Sequence, residues 1–169
     1  IYLVLEHAAG GELRSVLRRE RTLAEEVAAR LTVKVACALA FLHSRGVVHG
    51  AIRPENLYLD RRDLESAEIK IGRLGCVRPA AATGATGHVT PSPPRAAPAR
   101  HGGSAGYVAP EMKHGEGDVE VDGWALGALI CEMILGAPPS LSDSPDPTLE
   151  FPPTARRTAE GRGRALSAP

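Results

Sequence analysis

Val27, Leu31, Val35, Leu39 and Leu42 recur in steps of four and three, and Gly46 follows the last of them. That spacing puts five apolar side chains on one face of a helix, and a glycine just beyond is a natural stop. A helix of this length has to bury its apolar stripe against other elements. Thr22 and Glu25 stand ahead of it in capping-box spacing, which predicts the helix start. Shorter helical patterns occupy residues 12–19 and 119–135. In the first, Leu13, Val16 and Leu17 share a face and Arg14, Arg18 and Arg19 point away from it. The second closes on Gly136. Residues 1–5, 57–59 and 68–71 read as short strands, with 60–67 as the turn between the last two, and Val47-Val48 leads into a polar loop over 49–56. The fold class that follows is α+β, mainly helical, with short β-hairpins.

Composition narrows the function classes. The 169 residues carry formal net charge zero with pI about 7.2, which argues against a nucleic-acid partner. Hydrophobic residues at 43% against 24% charged suffice for a globular core. No apolar run reaches membrane-spanning length, and no leader pattern opens the chain. Cys37, Cys76 and Cys131 lack paired spacing, and the six histidines lack metal-ligand spacing. These features place the chain in the cytoplasm or nucleus rather than outside the cell. Asn56 is the single asparagine. The stretch 78–103, rich in Ala, Pro, Ser, Thr and Gly, predicts a flexible loop, and 140–169 predicts a disordered tail.

Four segments stand in a fixed order. They are Val-Val-His-Gly-Ala-Ile-Arg-Pro-Glu-Asn-Leu (47–57), Ile-Lys-Ile-Gly-Arg-Leu-Gly (69–75), Gly-Ser-Ala-Gly-Tyr-Val-Ala-Pro-Glu (103–111) and Val-Asp-Gly-Trp-Ala-Leu-Gly (121–127). Together they resemble the C-terminal lobe of a eukaryotic protein kinase of serine/threonine type. The first is similar to the H-R-D-L-K-P-E-N catalytic loop, and the second to D-F-G with its strand. The third is similar to the activation-segment end through A-P-E, and the fourth to the start of the helix that anchors the lobe. The resemblance spans residues 1–139 and implies a kinase C-lobe without the N-terminal lobe or the helices after the anchor helix. The anchor helix would then expose apolar surface.

The resemblance assigns roles position by position. The proton-accepting Asp falls on Ala51, and a methyl group accepts no proton. The metal-binding Asp falls on Arg73, which sets a cation where a cation is needed. The phosphate-contacting Lys becomes Arg53, and the remaining metal ligand, Asn56, survives as a vestige. Gly50 replaces the Arg that reads a phosphorylated activation segment. His49, Leu74, Glu111 and Asp122 match structural positions, with Leu74 an apolar stand-in for Phe and Glu111 lacking its usual Arg partner. For a nucleotide, the resemblance points to backbone groups of Glu6 and Ala8, to Glu12 at the ribose, and to Leu57, Tyr58 and Leu59 beneath the base. Leu57 and Leu59 are equally suited to filling a core, and Tyr58 is large for a base floor. ATP and magnesium are implied by resemblance alone, and the losses at Ala51 and Arg73 argue that neither binds productively.

Three readings stay open. One is a degenerate, pseudokinase-like lobe that acts by binding a protein partner. Another is a fragment of a working serine/threonine kinase that transfers phosphate from ATP. The third is a truncated product without function. Oligomeric state, pathway and substrate leave no mark in the sequence.

Overall fold

The computed structural model of the chain describes residues 2, 4–74, 77–80, 105–114, 118–142 and 148–152. Its helices sit where the periodicity puts them. The first, α1 (Leu13–Glu20), buries Leu13, Val16 and Leu17, and α2 (Glu25–His43) buries Val27, Ala28, Leu31, Val35 and Leu39. The third, α3 (Glu120–Leu135), is apolar nearly all round and buries Val121, Asp122, Ala125, Ala128, Leu129, Glu132 and Met133. Its C-cap is Gly136 at φ 86°, a left-handed turn that glycine makes without steric cost. Little of α3 faces solvent: Gly123, Gly127 and Ile134 are its exposed positions after the first turn. Ile134 is the large apolar side chain of α3 that is exposed, and Trp124, Leu126, Ile130 and Leu135 are only partly buried.

The strands are short and antiparallel. The central β3 (Leu57–Leu59) pairs with β1 (Gly11–Glu12) on one side and β4 (Ile69–Ile71) on the other. Register places Glu12, Tyr58 and Lys70 in one cross-strand row. Leu57 and Leu59 point the other way and are fully buried. They join Leu13, Leu31, Val35, Leu129 and Met133 in the main core. Full burial of one such side chain contributes about 1.5–3 kcal/mol. A smaller cluster of Val48, Ala109 and Val121 ties β2 (Val47–Val48) to the 105–114 segment and to the start of α3. The result is α+β, with three helices and short antiparallel sheets among the described residues.

Several expectations are corrected. Among the described residues of 1–5 no strand forms; Tyr2, Val4 and Leu5 are largely exposed, and no strand among the described residues pairs with them. The capping box at Thr22 and Glu25 does not form. Ala24 is the N-cap of α2 and makes no side-chain capping bond. The Leu23 N–H donates instead to the Met133 carbonyl (2.7 Å), so a tertiary bond to α3 sets the entry of the chain. The loop assigned to 78–103 begins with a strand, β5 (Arg78–Pro79), paired with β2. Residues 81–103 lie outside the described residues. The stretch assigned to a tail holds a further pairing, β6 (Ser140–Leu141) with β7 (Leu149–Glu150); residues 153–169 lie outside the described residues.

Candidate functional site

The loop 49–56 leaves β2, makes a 3-10 turn at Pro54–Asn56 and enters β3. Asp122, fully buried in the first turn of α3, holds it from below. Its Oδ2 accepts from the His49 N–H (2.8 Å) and its Oδ1 from the Gly50 N–H (2.7 Å). The same Oδ2 accepts from His43 Nε2 (2.9 Å) at the end of α2. A buried carboxylate needs such partners, and here three donors supply them.

His49 is fully buried as well. Its Nε2 faces the Gly72 carbonyl (3.1 Å) and must donate, while Nδ1 faces the Ala51 N–H (3.3 Å) and accepts. The Gly72 N–H donates to the Asn56 carbonyl (2.8 Å). Gly72 is thus pinned to both ends of the loop, which fixes Arg73 beside it.

The chemistry-bearing positions sit above this frame. Ala51 is half-buried and offers only its backbone; its carbonyl accepts from Asn56 Nδ2 (2.6 Å). Asn56 is buried, and its side-chain amide thereby closes the loop on itself. Arg53 precedes the turn, and its carbonyl accepts from the Asn56 N–H (2.9 Å). Arg73 is exposed, at φ 58°. Leu74, expected to pack as Phe does in the resembled motif, is 60% exposed, with no packing against either core cluster.

The nucleotide positions do not all converge. Leu57 lies wholly in the core, so it offers no surface to a base. Tyr58 turns to the opposite face, and its ring lies against Gly72: a Cβ built there would come within 2.6 Å of Tyr58 Cε2. Glu12 is exposed beside Tyr58 in the register. Glu6 pairs with Lys70 Nζ (2.9 Å), and the Ala8 carbonyl accepts from the Gly11 N–H (3.1 Å). Asp60 and Asp63, carboxylates nearby in sequence, are taken up by their own turn. The Arg61 hydrogen bond, then the Glu68 N–H, hold Asp60 down to about 2. Asp63 accepts from Ser66 and from the Glu65 N–H.

A second cluster escaped sequence reasoning. Arg14, expected to face solvent, lies between Glu55 and Glu132. It donates to Glu55 Oε1 (2.8 Å), to Glu132 Oε1 and to Glu132 Oε2 (3.2 Å). The Tyr107 hydroxyl donates to Glu132 as well. Burial works to lower the Arg14 guanidinium, but the bonds and charges of Glu132 and Glu55 outweigh it and hold the pKa above the ordinary value. Burial, then the Glu132 charge, pushes the Tyr107 hydroxyl far up, so it stays a donor. Trp124 Nε1 donates to the Gly106 carbonyl (3.0 Å) and fastens the same segment to α3. Glu111 is half-buried and forms no ion pair among the described residues. The sole advance sign of this cluster was a glutamate inside the apolar pattern of α3.

Comparison with known proteins decides the family. The family model described as "Protein kinase domain" matches residues 1–151. The chain belongs to the protein kinase family. It is 39% identical to an Aurora kinase of Schizosaccharomyces pombe over 140 residues, 82% of this chain and 35% of that protein. It is 32% identical to the human cAMP-dependent protein kinase catalytic subunit PRKX over 146 residues, 86% of this chain and 36% of that protein. It is 34% identical to the Aurora/IPL1-related protein kinase 2 of Caenorhabditis briggsae over 140 residues, covering 41% of that protein. The chain therefore spans well under half the length of these kinase relatives.

Arg73 stands where the family pattern has a metal-binding carboxylate, and Asn56 Nδ2 donates to the Ala51 carbonyl. No group of three or more His, Cys, Asp or Glu among the described residues is arranged to hold a metal ion. No helix among them is long and apolar enough to cross a membrane.

Proposed function

We propose that this kinase-family chain is a pseudokinase-like module that works by binding a protein partner and transfers no phosphate. One observation carries the reading: Ala51 in the loop and Arg73 beyond β4 occupy the two carboxylate positions, while Asp122, His49 and Asn56 still hold the loop by hydrogen bonds. Losing a positioned base costs a factor of about 10²–10⁴ in rate. Replacing a metal-binding carboxylate by a guanidinium removes the metal as well. The free thiols of Cys37 and Cys131 support a reducing compartment, cytoplasmic or nuclear.

The test is transfer of radiolabelled phosphate from magnesium-ATP to casein and to the chain itself. No transfer is expected. Turnover that disappears in Arg53→Ala or Asn56→Ala would overturn the reading.

A second reading, part of an active serine/threonine kinase, is favoured by the similarity to relatives named Aurora kinase and cAMP-dependent protein kinase. It requires turnover from the native full-length polypeptide in the same assay.

A further inference from the structure

The turn from α1 into α2 sets exposed arginines ahead of an exposed hydroxyl: Arg18, Arg19 and Arg21 precede Thr22. Arg19 stands at the third position before the threonine and Arg21 at the first. The turn is tight and strained. Arg21 caps α1 at φ 66°, in the left-handed region that a residue with a Cβ enters at a cost, and its N–H donates to the Leu17 carbonyl. The Thr22 N–H donates back to the Glu20 carbonyl (2.8 Å). Helix ends fray, so the last turn of α1, which holds Arg18 and Arg19, is the part of that helix that opens most readily. Three helix ends meet here. A Cβ at Gly136, the C-cap of α3, would lie 3.5 Å from both Thr22 Cγ2 and the Arg21 carbonyl, and the Leu23 N–H donates to the Met133 carbonyl (2.7 Å). The C-terminal ends of α1 and α3 carry negative partial charge. No basic residue in the last turn of α3 offsets it, and α2 opens with Glu25 and Glu26.

We propose that Thr22 is a phosphorylation site for an arginine-directed protein kinase, and that the phosphate loosens the junction of the α1–α2 turn with α3. The modifying kinase brings magnesium-ATP. Thr22 Oγ1 bonds to the γ-phosphorus, the bond from that phosphorus to the β,γ-bridging oxygen breaks, ADP leaves, and the hydroxyl proton passes to the base of that kinase. Arg19 and Arg21 supply the charge pattern that an acidic substrate groove reads. Once attached, the phosphate stands at the C-terminal ends of two helices and beside the first-turn carboxylates of α2, where like charge opposes packing. Arg18 and Arg21 attract it from exposed positions, where ion pairs contribute little. Arg19 already pairs with Glu20 (2.8 Å). The strain reaches Leu23, one residue on, and its bond to Met133. This role as a substrate is independent of whether the chain itself transfers phosphate.

Treatment of the full chain with the catalytic subunit of cAMP-dependent protein kinase and magnesium-ATP tests this, with sites assigned by mass spectrometry and the chain with magnesium-ATP alone as the baseline. Phosphate on Thr22 is expected. It should be absent in Thr22→Val and form about tenfold more slowly in Arg19→Gln, the worth of one charge-assisted hydrogen bond. The phosphorylated chain should unfold at a lower urea midpoint than the untreated chain, with the gap narrowing at high salt as the repulsion is screened. Thr22→Val put through the same treatment should keep its midpoint. Phosphate confined to Thr158, which follows Arg156 and Arg157 in the sequence, would overturn the site. So would phosphate on a synthetic peptide of residues 15–26 with none on Thr22 of the chain, since the turn would then be closed to a kinase. Full phosphorylation of Thr22 with an unchanged or raised midpoint would overturn the loosening.

Discussion

The loop 49–56 has an underside and a rim, and the two differ in kind. Below, Asp122 accepts three hydrogen bonds, His49 uses both ring nitrogens, and the Asn56 amide meets the Ala51 carbonyl. On the rim, a methyl group stands at Ala51 and an exposed guanidinium at Arg73. The bonds below satisfy buried groups that would otherwise cost free energy on folding. The methyl and the guanidinium above take no part in those bonds. Each set can change without the other, which is how a kinase-family frame keeps its shape while its carboxylates are gone.

Asp122→Ala tests that separation with the largest expected effect. It strands the His49 N–H, the Gly50 N–H and His43 Nε2, and should cost about 4 kcal/mol, read as a lower urea midpoint of the full chain. Asp122→Asn keeps one oxygen and turns an N–H towards a donor, so it should fall in between. Ala51→Asp on the rim should shift the midpoint by less than about 0.5 kcal/mol. Comparable losses for Asp122→Ala and Ala51→Asp would break the comparison.

The Arg14 cluster comes next. Glu132→Ala leaves Arg14 with Glu55 alone and the Tyr107 hydroxyl without its acceptor, for an expected loss of about 3 kcal/mol. Converting Arg14, Glu132 and Tyr107 together to Met, Leu and Phe should recover most of it, since a buried ion pair replaced whole by apolar groups is often neutral. Failure of the triple variant to recover stability would mean that the cluster sets the geometry of the 105–107 turn as well as satisfying charge.

The cluster also shows what a sequence can and cannot disclose. Helices α1, α2 and α3 and the β3–β4 hairpin were legible because each depends on spacing inside one segment. So were the loop positions Ala51 and Arg73, which are matters of residue identity. Arg14 and Glu132 lie 118 positions apart, and His43 and Asp122 lie 79 apart. No local pattern marks either pair. The failed capping box has the same cause: the Leu23 bond to the Met133 carbonyl outweighs a local preference worth about 1 kcal/mol. Two-residue pairings such as β1 with β3 and β2 with β5 are too short to leave a period-2 signature.

Gly72 joins the two faces of the loop, and a smaller effect is expected there. A Cβ at this position would press on the Tyr58 ring at 2.6 Å. The ring is half-buried and can swing aside, so Gly72→Ala should cost about 1 kcal/mol, in the lower range for overpacking. In a double-mutant cycle with Tyr58→Ala the penalty should largely vanish. A penalty that survives would place the constraint in the backbone, where the His49 and Asn56 bonds hold residue 72.

The smallest effect is a pH dependence, and it separates the Arg14 cluster from the Asp122 frame. Burial works to raise the Glu55 carboxyl, but the Arg14 hydrogen bond, its own backbone bond and the charges of Arg14 and Arg53 outweigh it and hold the pKa below the ordinary 4.5. A lowered carboxylate contributes stability that is fully present above its unfolded value and is lost as pH falls through its folded value. The Glu55 contribution should therefore be constant at neutral pH, begin to fade near 4.5 and disappear below the depressed folded value. Because Glu55 is 39% exposed at its side chain, solvent screening keeps the contribution small. Urea midpoints measured between pH 7 and pH 3 should fall less steeply on the acid side in Glu55→Gln than in the native chain. An unchanged slope would mean that Arg14 gains its stabilisation from Glu132 alone. The loop would then be tied to α3 through Asp122 and not through the second cluster.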